Sequence, residues 1–244
     1  SHHYGAVLAG AQPLYLEAFP MVAYSMYGAV PLRTIKQALL ALKAEGKLDR
    51  ARVLDLTNCT FDGHMYNCRR VMEECLAIKP DLIFLWDEAW FAFARFSPFH
   101  RRRTGMGAAQ ALQDRLLSPD YRQAYEAWKE SMGGKVGEAL DPTDASLLDK
   151  RLMPDPDVAR IRVYQTNSTH KSMSALRQGS MMLVHDQDFS EVEEQFHEAF
   201  YTHTSTSPNQ QIIASLDVAR RQMELEGYEL VMDAIALSLD LRRQ

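Results

Sequence analysis

An α/β fold built on a mainly parallel sheet is what this chain predicts, and three observations carry the prediction. Short apolar runs of strand length, Arg52–Leu56 and Leu82–Trp86, alternate with segments of helical period. Turn or loop signals follow each run, as in Thr57–Gly63 and at Pro80. Polar residues able to do chemistry stand where the strands stop, with Asp87 after Leu82–Trp86 and Lys171 after a Val163-Gln165 alternation. Open α/β sheets bind ligands in the crevice beyond their strand ends, so this placement is the expected one for a site.

In chain order, Gln12–Ala18 (QPLYLEA) alternates well enough to predict a strand. Pro31–Gly46 predicts a helix, with Pro31 in its first turn, Leu32, Ile35, Leu39 and Leu42 on one face, and Gly46 as its stop. Tyr66–Ile78 reads as a second helix ending before Pro80. Gly107–Met132 is amphipathic through Leu112, Leu116, Tyr121, Tyr125 and Trp128, and Gly133–Pro156 is loop-like. In the stretch Val163–Val184 (VYQTNSTHKSMSALRQGSMMLV) a short strand is expected to give way to a polar turn over Thr166–Thr169. His170 and Lys171 follow, then a second strand over Met181–Val184. Phe189–Tyr201 predicts a helix with Val192, Phe196 and Phe200 inward. Gln211–Leu241 predicts one long helix, or two broken at Gly227, with a buried stripe of Ile213, Leu216, Met223, Leu230, Ile235 and Leu239.

At 244 residues the chain is long enough for one full core, and 46% hydrophobic residues is ordinary for a globular protein. A formal net charge of -5 offers no basic field for nucleic acid. No apolar run reaches the length of a membrane span, and no signal-peptide pattern opens the chain. The three cysteines, Cys59, Cys68 and Cys75, are odd in number and lack metal-ligand spacing, which predicts reduced thiols in a cytoplasmic protein and no metal site.

A lysine beside Ser, Thr and His suits a cofactor with an aldehyde and a phosphate, and a carboxylate such as Asp87 suits that cofactor's ring nitrogen. A solvated loop lysine and a turn or N-cap aspartate satisfy the same letters. Two longer stretches narrow this: DEAWFAFARFSPFH and NSTHKSMSALRQGSMM, taken with TNCTFDG at Thr57–Gly63 and HTSTSP at His203–Pro208, resemble the Orn/Lys/Arg decarboxylases, the bacterial basic amino acid decarboxylases. The resemblance covers most of the chain, except that Met106–Arg160 is longer than the family's connection and reads as a helical and loop insertion.

The resemblance implies the three-layer large domain of the fold-type I pyridoxal-phosphate enzymes, incomplete at both ends. It implies pyridoxal 5'-phosphate as cofactor, a homodimer with a shared site, and decarboxylation of arginine, lysine or ornithine. Lys171 would be the cofactor's amine partner, Asp87 the partner of the ring nitrogen, and Ser168 and His170 phosphate contacts, with Lys171 or a nearby His returning the proton. Ala89 would pack on the ring, Trp90 would wall the substrate pocket, Thr57 and Asn58 would lie near ring and substrate, and Thr204 would reach a neighbouring subunit's phosphate. Ordinary structural roles compete: an Asx turn for Thr57 and Asn58, core packing for Ala89 and Trp90, a cap loop for Thr204. Ser1 matches the last residue of a Cys-His-Lys-Ser motif whose histidine stacks on the cofactor. By that alignment His2 and His3 are not the stacking residue and read as exposed helix or a purification remnant. His100–Arg103 (HRRR) reads as a solvated face or a contact for an acidic group. Another pyridoxal-phosphate enzyme of this fold, or a catalytically incomplete dimerisation piece, satisfies many of the same residues.

Overall fold

A computed structural model describes residues 2–244; the match at Ser1 lies outside the described residues. Four strands form one mixed sheet in the order β1 (Val53–Thr57), β2 (Ile83–Asp87), β3 (Arg162–Ser168) and β4 (Ser180–Asp186). β1, β2 and β3 run parallel, with Thr57 level with Asp87 and Asp87 level with Thr166. β4 returns antiparallel to β3, with Met182 opposite Thr166. The parallel part is the predicted one, and the antiparallel edge follows from a short connection: no crossover helix fits between Ser172 and Ser180.

The helices are α1 (His2–Leu8), α2 (Leu32–Ala44), α3 (Cys68–Leu76), α4 (Gly105–Leu117), α5 (Pro119–Ser131), α6 (Thr169–Ser172), α7 (Glu193–His203) and α8 (Gln210–Arg243). The core lies between one sheet face and α2, α3, α4 and α5. Leu56, Phe84, Trp86 and Val163 meet Ile35, Leu39, Met72, Leu76, Leu112 and Tyr125 there. Alternation along the strands sends Asp55, Asp87, Thr166 and Ser168 to the other face, which is half-buried. Among the described residues no helix is long and apolar enough to cross a membrane.

Several expectations need correction. Gln12–Ala18 is not a strand: it is exposed irregular chain, because no neighbouring strand edge takes its backbone. Thr166–Thr169 is not a turn. β3 continues through Ser168, since the polar Gln165 and Asn167 are buried with internal partners and the period-2 burial is unbroken. Gly107–Met132 is two helices. Ser118 caps the second with a hydroxyl that accepts from the Tyr121 N–H, and Pro119 occupies its first turn.

Gly227 does not break α8. Its missing side chain admits Phe96, which a Cβ would approach to 2.8 Å, so the glycine is a packing notch on an unbroken helix. The buried positions of α8 are Ala219, Met223, Gly227 and Val231, whereas Ile213, Leu230 and Leu239 are exposed. Val192, which precedes α7, and Phe200 on it are exposed as well. Phe196 alone turns toward the sheet, against Tyr164 and Phe189.

One buried ion pair pins the core-side helices. Lys36 Nζ on α2 donates to Glu74 Oε2 on α3 at 2.7 Å and to the carbonyls of Leu147 and Lys150. Lys36→Met strips Glu74 of this donor and leaves both carbonyls unmet. It should cost about 3 kcal/mol, read as a lower urea midpoint, since breaking one side of a buried pair is strongly destabilising. A midpoint within error of the parent would mean that Arg70, the second partner of Glu74, suffices alone.

Candidate active site

The parallel strands end on Thr57, Asp87 and Ser168, and their ends define the site. Asp87 Oδ1 accepts from the Ala89 N–H at 3.0 Å, a tight turn that fixes the carboxylate, and the Thr166 hydroxyl lies 3.5 Å from the same oxygen. Lys171 follows in the single turn of α6. Its ammonium sits over the Trp90 ring, 5.3 Å from the centroid, a cation–π contact that holds an exposed lysine over this end of the sheet. Phe61 meets Trp90 edge-on from the β1 exit loop. Lys171 is close enough for its charge to help depress the Asp87 carboxyl.

His2 is an exposed helix residue, as expected, and its ring also takes part in this site. Its Nε2 lies 2.9 Å from Asp87 Oδ2 and its Nδ1 3.1 Å from Asp55 Oδ2. The hydrogen bond to Asp87 raises the imidazole above its ordinary range and is the largest influence holding Asp87 below the usual carboxylate range. Asp55 is pushed the other way, chiefly by burial. The contact itself was not legible from the chain, because it joins residues far apart in sequence through adjacent strands. His3 is exposed and reaches Tyr15 instead.

The remaining residues divide. Ala89 is placed beside Asp87 through its N–H, and Trp90 is 38% exposed under Lys171. Thr57 is exposed at the level of Asp87. His170 Nδ1 is engaged by the Gly179 carbonyl at 3.0 Å, which leaves Nε2 as its remaining ring nitrogen. Ser168 ends β3 one residue before α6. Asn58 is not at the open surface, which corrects its placement at the substrate. It is fully buried, its amide donates to Glu88 Oε1 and the Arg103 carbonyl, and its oxygen accepts from the Tyr66 N–H. A side chain so committed has nothing to offer a substrate. Thr204 caps α7, where its hydroxyl turns back to the Tyr201 carbonyl, and among the described residues no hydrogen bond joins it to another candidate.

Glu88 is the residue that sequence reasoning passed over, although it stands next to Asp87. Alternation carries it to the core side, fully buried. Its Oε1 accepts from Asn58 Nδ2 at 2.6 Å and from the Gly105 N–H at 2.7 Å, while Oε2 is buried without a partner. Its backbone is held as well, the N–H by Thr166 and the carbonyl by Asn167. Glu88 therefore ties the exits of β1, β2 and β3 to the start of α4, directly beneath Asp87. Gly105 is required at that joint, because a Cβ would come within 2.6 Å of Trp86.

Burial pushes the Glu88 carboxyl up to about 7, against the pull of Asn58 and Gly105. Folding thus takes up a proton between pH 4.5, the ordinary value, and about 7. The folded state holds more protons than the unfolded state in that window, so this group makes stability fall as pH rises through it. Glu88→Gln mimics the protonated form. It should remove a loss on the order of 3 kcal/mol between pH 4.5 and 8, seen as a flatter profile of urea midpoint against pH. An unchanged slope would assign the pH dependence to other groups.

Arg95, Arg101, Arg102 and Arg103 line a cleft of about 800 Å³ with Arg69 and Asp114. The N-terminal N–H groups of α4 do not open into it, being taken by Glu88, Gln165 and Thr104.

The sequence model of the Orn/Lys/Arg decarboxylase major domain matches residues 1–118 and 143–244. The chain belongs to the Orn/Lys/Arg decarboxylase family. It is 29% identical to the lysine decarboxylase LdcA of Pseudomonas aeruginosa over 97% of this chain and 26% of that protein. Against the biodegradative arginine decarboxylase of Escherichia coli K12 it is 27% identical, over 98% of this chain and 26% of the relative. The solved lysine decarboxylase A from Pseudomonas aeruginosa superimposes with a TM-score of 0.61 at 27% identity, covering 98% of this chain and 27% of that one. The decarboxylase-family chain thus spans about a quarter of the length of these relatives. The residues left unmatched, 119–142, are α5 and the loop after it, on the core side of the sheet.

Proposed function

We propose that this chain is the cofactor-bearing body of a pyridoxal-phosphate-dependent decarboxylase acting on arginine, lysine or ornithine. The observation that carries the reading is the placement of Lys171 and Asp87 at neighbouring parallel strand ends, with the charge of Lys171 felt by Asp87. The donor set suits the group. An exposed amine meets the need of an aldehyde, a strand-end carboxylate held ionised meets the need of a pyridine nitrogen, and Ser168 with His170 Nε2, close to Lys171 in the chain, would be donors for a phosphate. When bound, pyridoxal phosphate supplies an electron-accepting ring.

The chain's own residues would do the rest. Asp87 would keep the proton on the ring nitrogen, because its carboxylate is held in the charged form by His2, Ala89 and Lys171. Trp90 and Phe61 would form an apolar wall beside the amine. The reaction exchanges the substrate's α-carboxylate for a proton, and Lys171 would deliver that proton. We further propose a homodimer with a shared site. The free thiols of Cys59, Cys68 and Cys75 are in keeping with a cytoplasmic enzyme.

The test is direct. The full-length protein is incubated with pyridoxal phosphate and arginine, lysine or ornithine in turn, and carbon dioxide and amine product are measured. Stoichiometric carbon dioxide and amine from one of the three is the expected result. A keto acid without carbon dioxide would make the protein an aminotransferase, and no product from any of them would remove the reading.

A further inference from the structure

We propose that His2 is a positioning residue, an imidazolium strut that links Asp55 on β1 to Asp87 on β2 and fixes the orientation and charge of Asp87. The inference rests on the cofactor reading above and adds a residue to it. Both ring nitrogens face carboxylate oxygens, Nε2 at 2.9 Å and Nδ1 at 3.1 Å. A neutral imidazole donates one hydrogen bond, so two carboxylate acceptors select the cation. Asp55 and Asp87 lie on the same sheet face, on adjacent parallel strands and two residues apart in register. Without a cation between them, they would repel across that face.

The strut accounts for Asp55, an otherwise odd residue. A carboxylate in the middle of a strand is unfavourable, and one oxygen of Asp55 is buried without a partner. Its other oxygen is spent on His2. Asp87 in turn has room for a further partner. A carboxylate offers about four acceptor positions, of which His2, the Ala89 N–H and the more distant Thr166 hydroxyl take three. By this count of acceptor positions a cofactor ring nitrogen would have one left beside the imidazole. The charged groups about the strut are Asp55 on β1, Asp87 on β2 and Lys171 after β3, the last acting on Asp87 from across the site.

The experiment uses the full-length protein and its His2→Ala, His2→Gln, Asp55→Asn and doubly substituted His2→Ala/Asp55→Asn forms. Two quantities are read: the dissociation constant of pyridoxal phosphate, and the pH midpoint of the bound cofactor's visible absorbance. Borohydride reduction followed by peptide mapping reports separately whether Lys171 carries the cofactor. The strut predicts about tenfold weaker cofactor binding in His2→Ala, the size of one charge-assisted hydrogen bond. It also predicts an upward shift of the absorbance midpoint, because loss of the cation leaves two carboxylates facing the ring. His2→Gln keeps an N–H for Asp87 and should recover part of the affinity but not the midpoint. The double variant should bind no more weakly than His2→Ala.

Tighter cofactor binding in His2→Ala would overturn the proposal, because the imidazole would then be a plug occupying the ring nitrogen's place. Unchanged affinity and midpoint, with Lys171 still labelled, would overturn it too and leave the cofactor reading standing. Absence of label on Lys171 in the parent protein would instead remove the cofactor reading itself.

Discussion

Lys171→Ala should abolish the borohydride-stable attachment of pyridoxal phosphate and lower decarboxylation by about 10³-fold or more, the scale of losing both a covalent partner and a proton donor. The expectation comes from placement. The amine leaves β3 at the end of the sheet where Asp87 stands, and its exposed side chain is held over Trp90 by the ring face and not by a carboxylate. Four of the other seven lysines are committed elsewhere: Lys36 to Glu74, Lys43 to the carbonyls of Gly137 and Glu138, Lys47 to Glu45, and Lys79 to Asp81. Attachment can be checked by mass spectrometry of the reduced protein, independently of turnover. A label that persists on another lysine in the variant would remove Lys171 from its role. Lys171→Arg sharpens the test, since it keeps the charge over Trp90 and loses the nucleophile; it should be as inactive as the alanine form.

The second large effect is at Asp87. Asp87→Asn should still permit the lysine linkage, yet lower decarboxylation by about 10²- to 10³-fold, the range seen when one preorganised electrostatic partner is removed. An amide cannot hold a proton on a ring nitrogen as a carboxylate does. It also faces His2 with a neutral group in place of an anion, so the cation that now depresses Asp87 loses its counter-charge. Asp87→Glu tests geometry: the charge remains, but one added methylene breaks the short turn to the Ala89 N–H. Turnover within a few-fold of the parent in Asp87→Asn would exclude this carboxylate as the ring partner.

Both predictions rest on residues that the chain announces by itself. Lys171 and Asp87 stand at strand exits, and a strand exit in a parallel sheet is a local property: an apolar run, a stop and a polar residue beyond it. The same locality made β1, β2, α2 and α3 readable to within a residue or two at most ends. The N-caps of α3, α5 and α8, from Asn67, Ser118 and Asn209, are side-chain signals of the same short range.

Legibility failed where a residue's meaning depends on what lies across the fold. Asn58 reads as a site residue because it follows β1, yet it is buried, since Glu88 and Arg103 approach it from other elements. The aromatic side chains of α7 and the leucines of α8 promise inward faces. Their helical period is sound, but what each face meets is set by elements distant in the chain, and much of both helices is exposed. Gly227 looks like a break until Phe96 is seen filling its notch.

By itself, then, the chain determined the parallel α/β body, the family, and the amine and carboxylate at its strand ends, because backbone periodicity and strand-end chemistry are written in neighbouring residues. Only the tertiary structure decided that Glu88 fastens the strand exits from below and that His2 joins Asp55 to Asp87 from above. Those roles come from hydrogen bonds and charges acting over a few ångströms between segments that sequence keeps far apart.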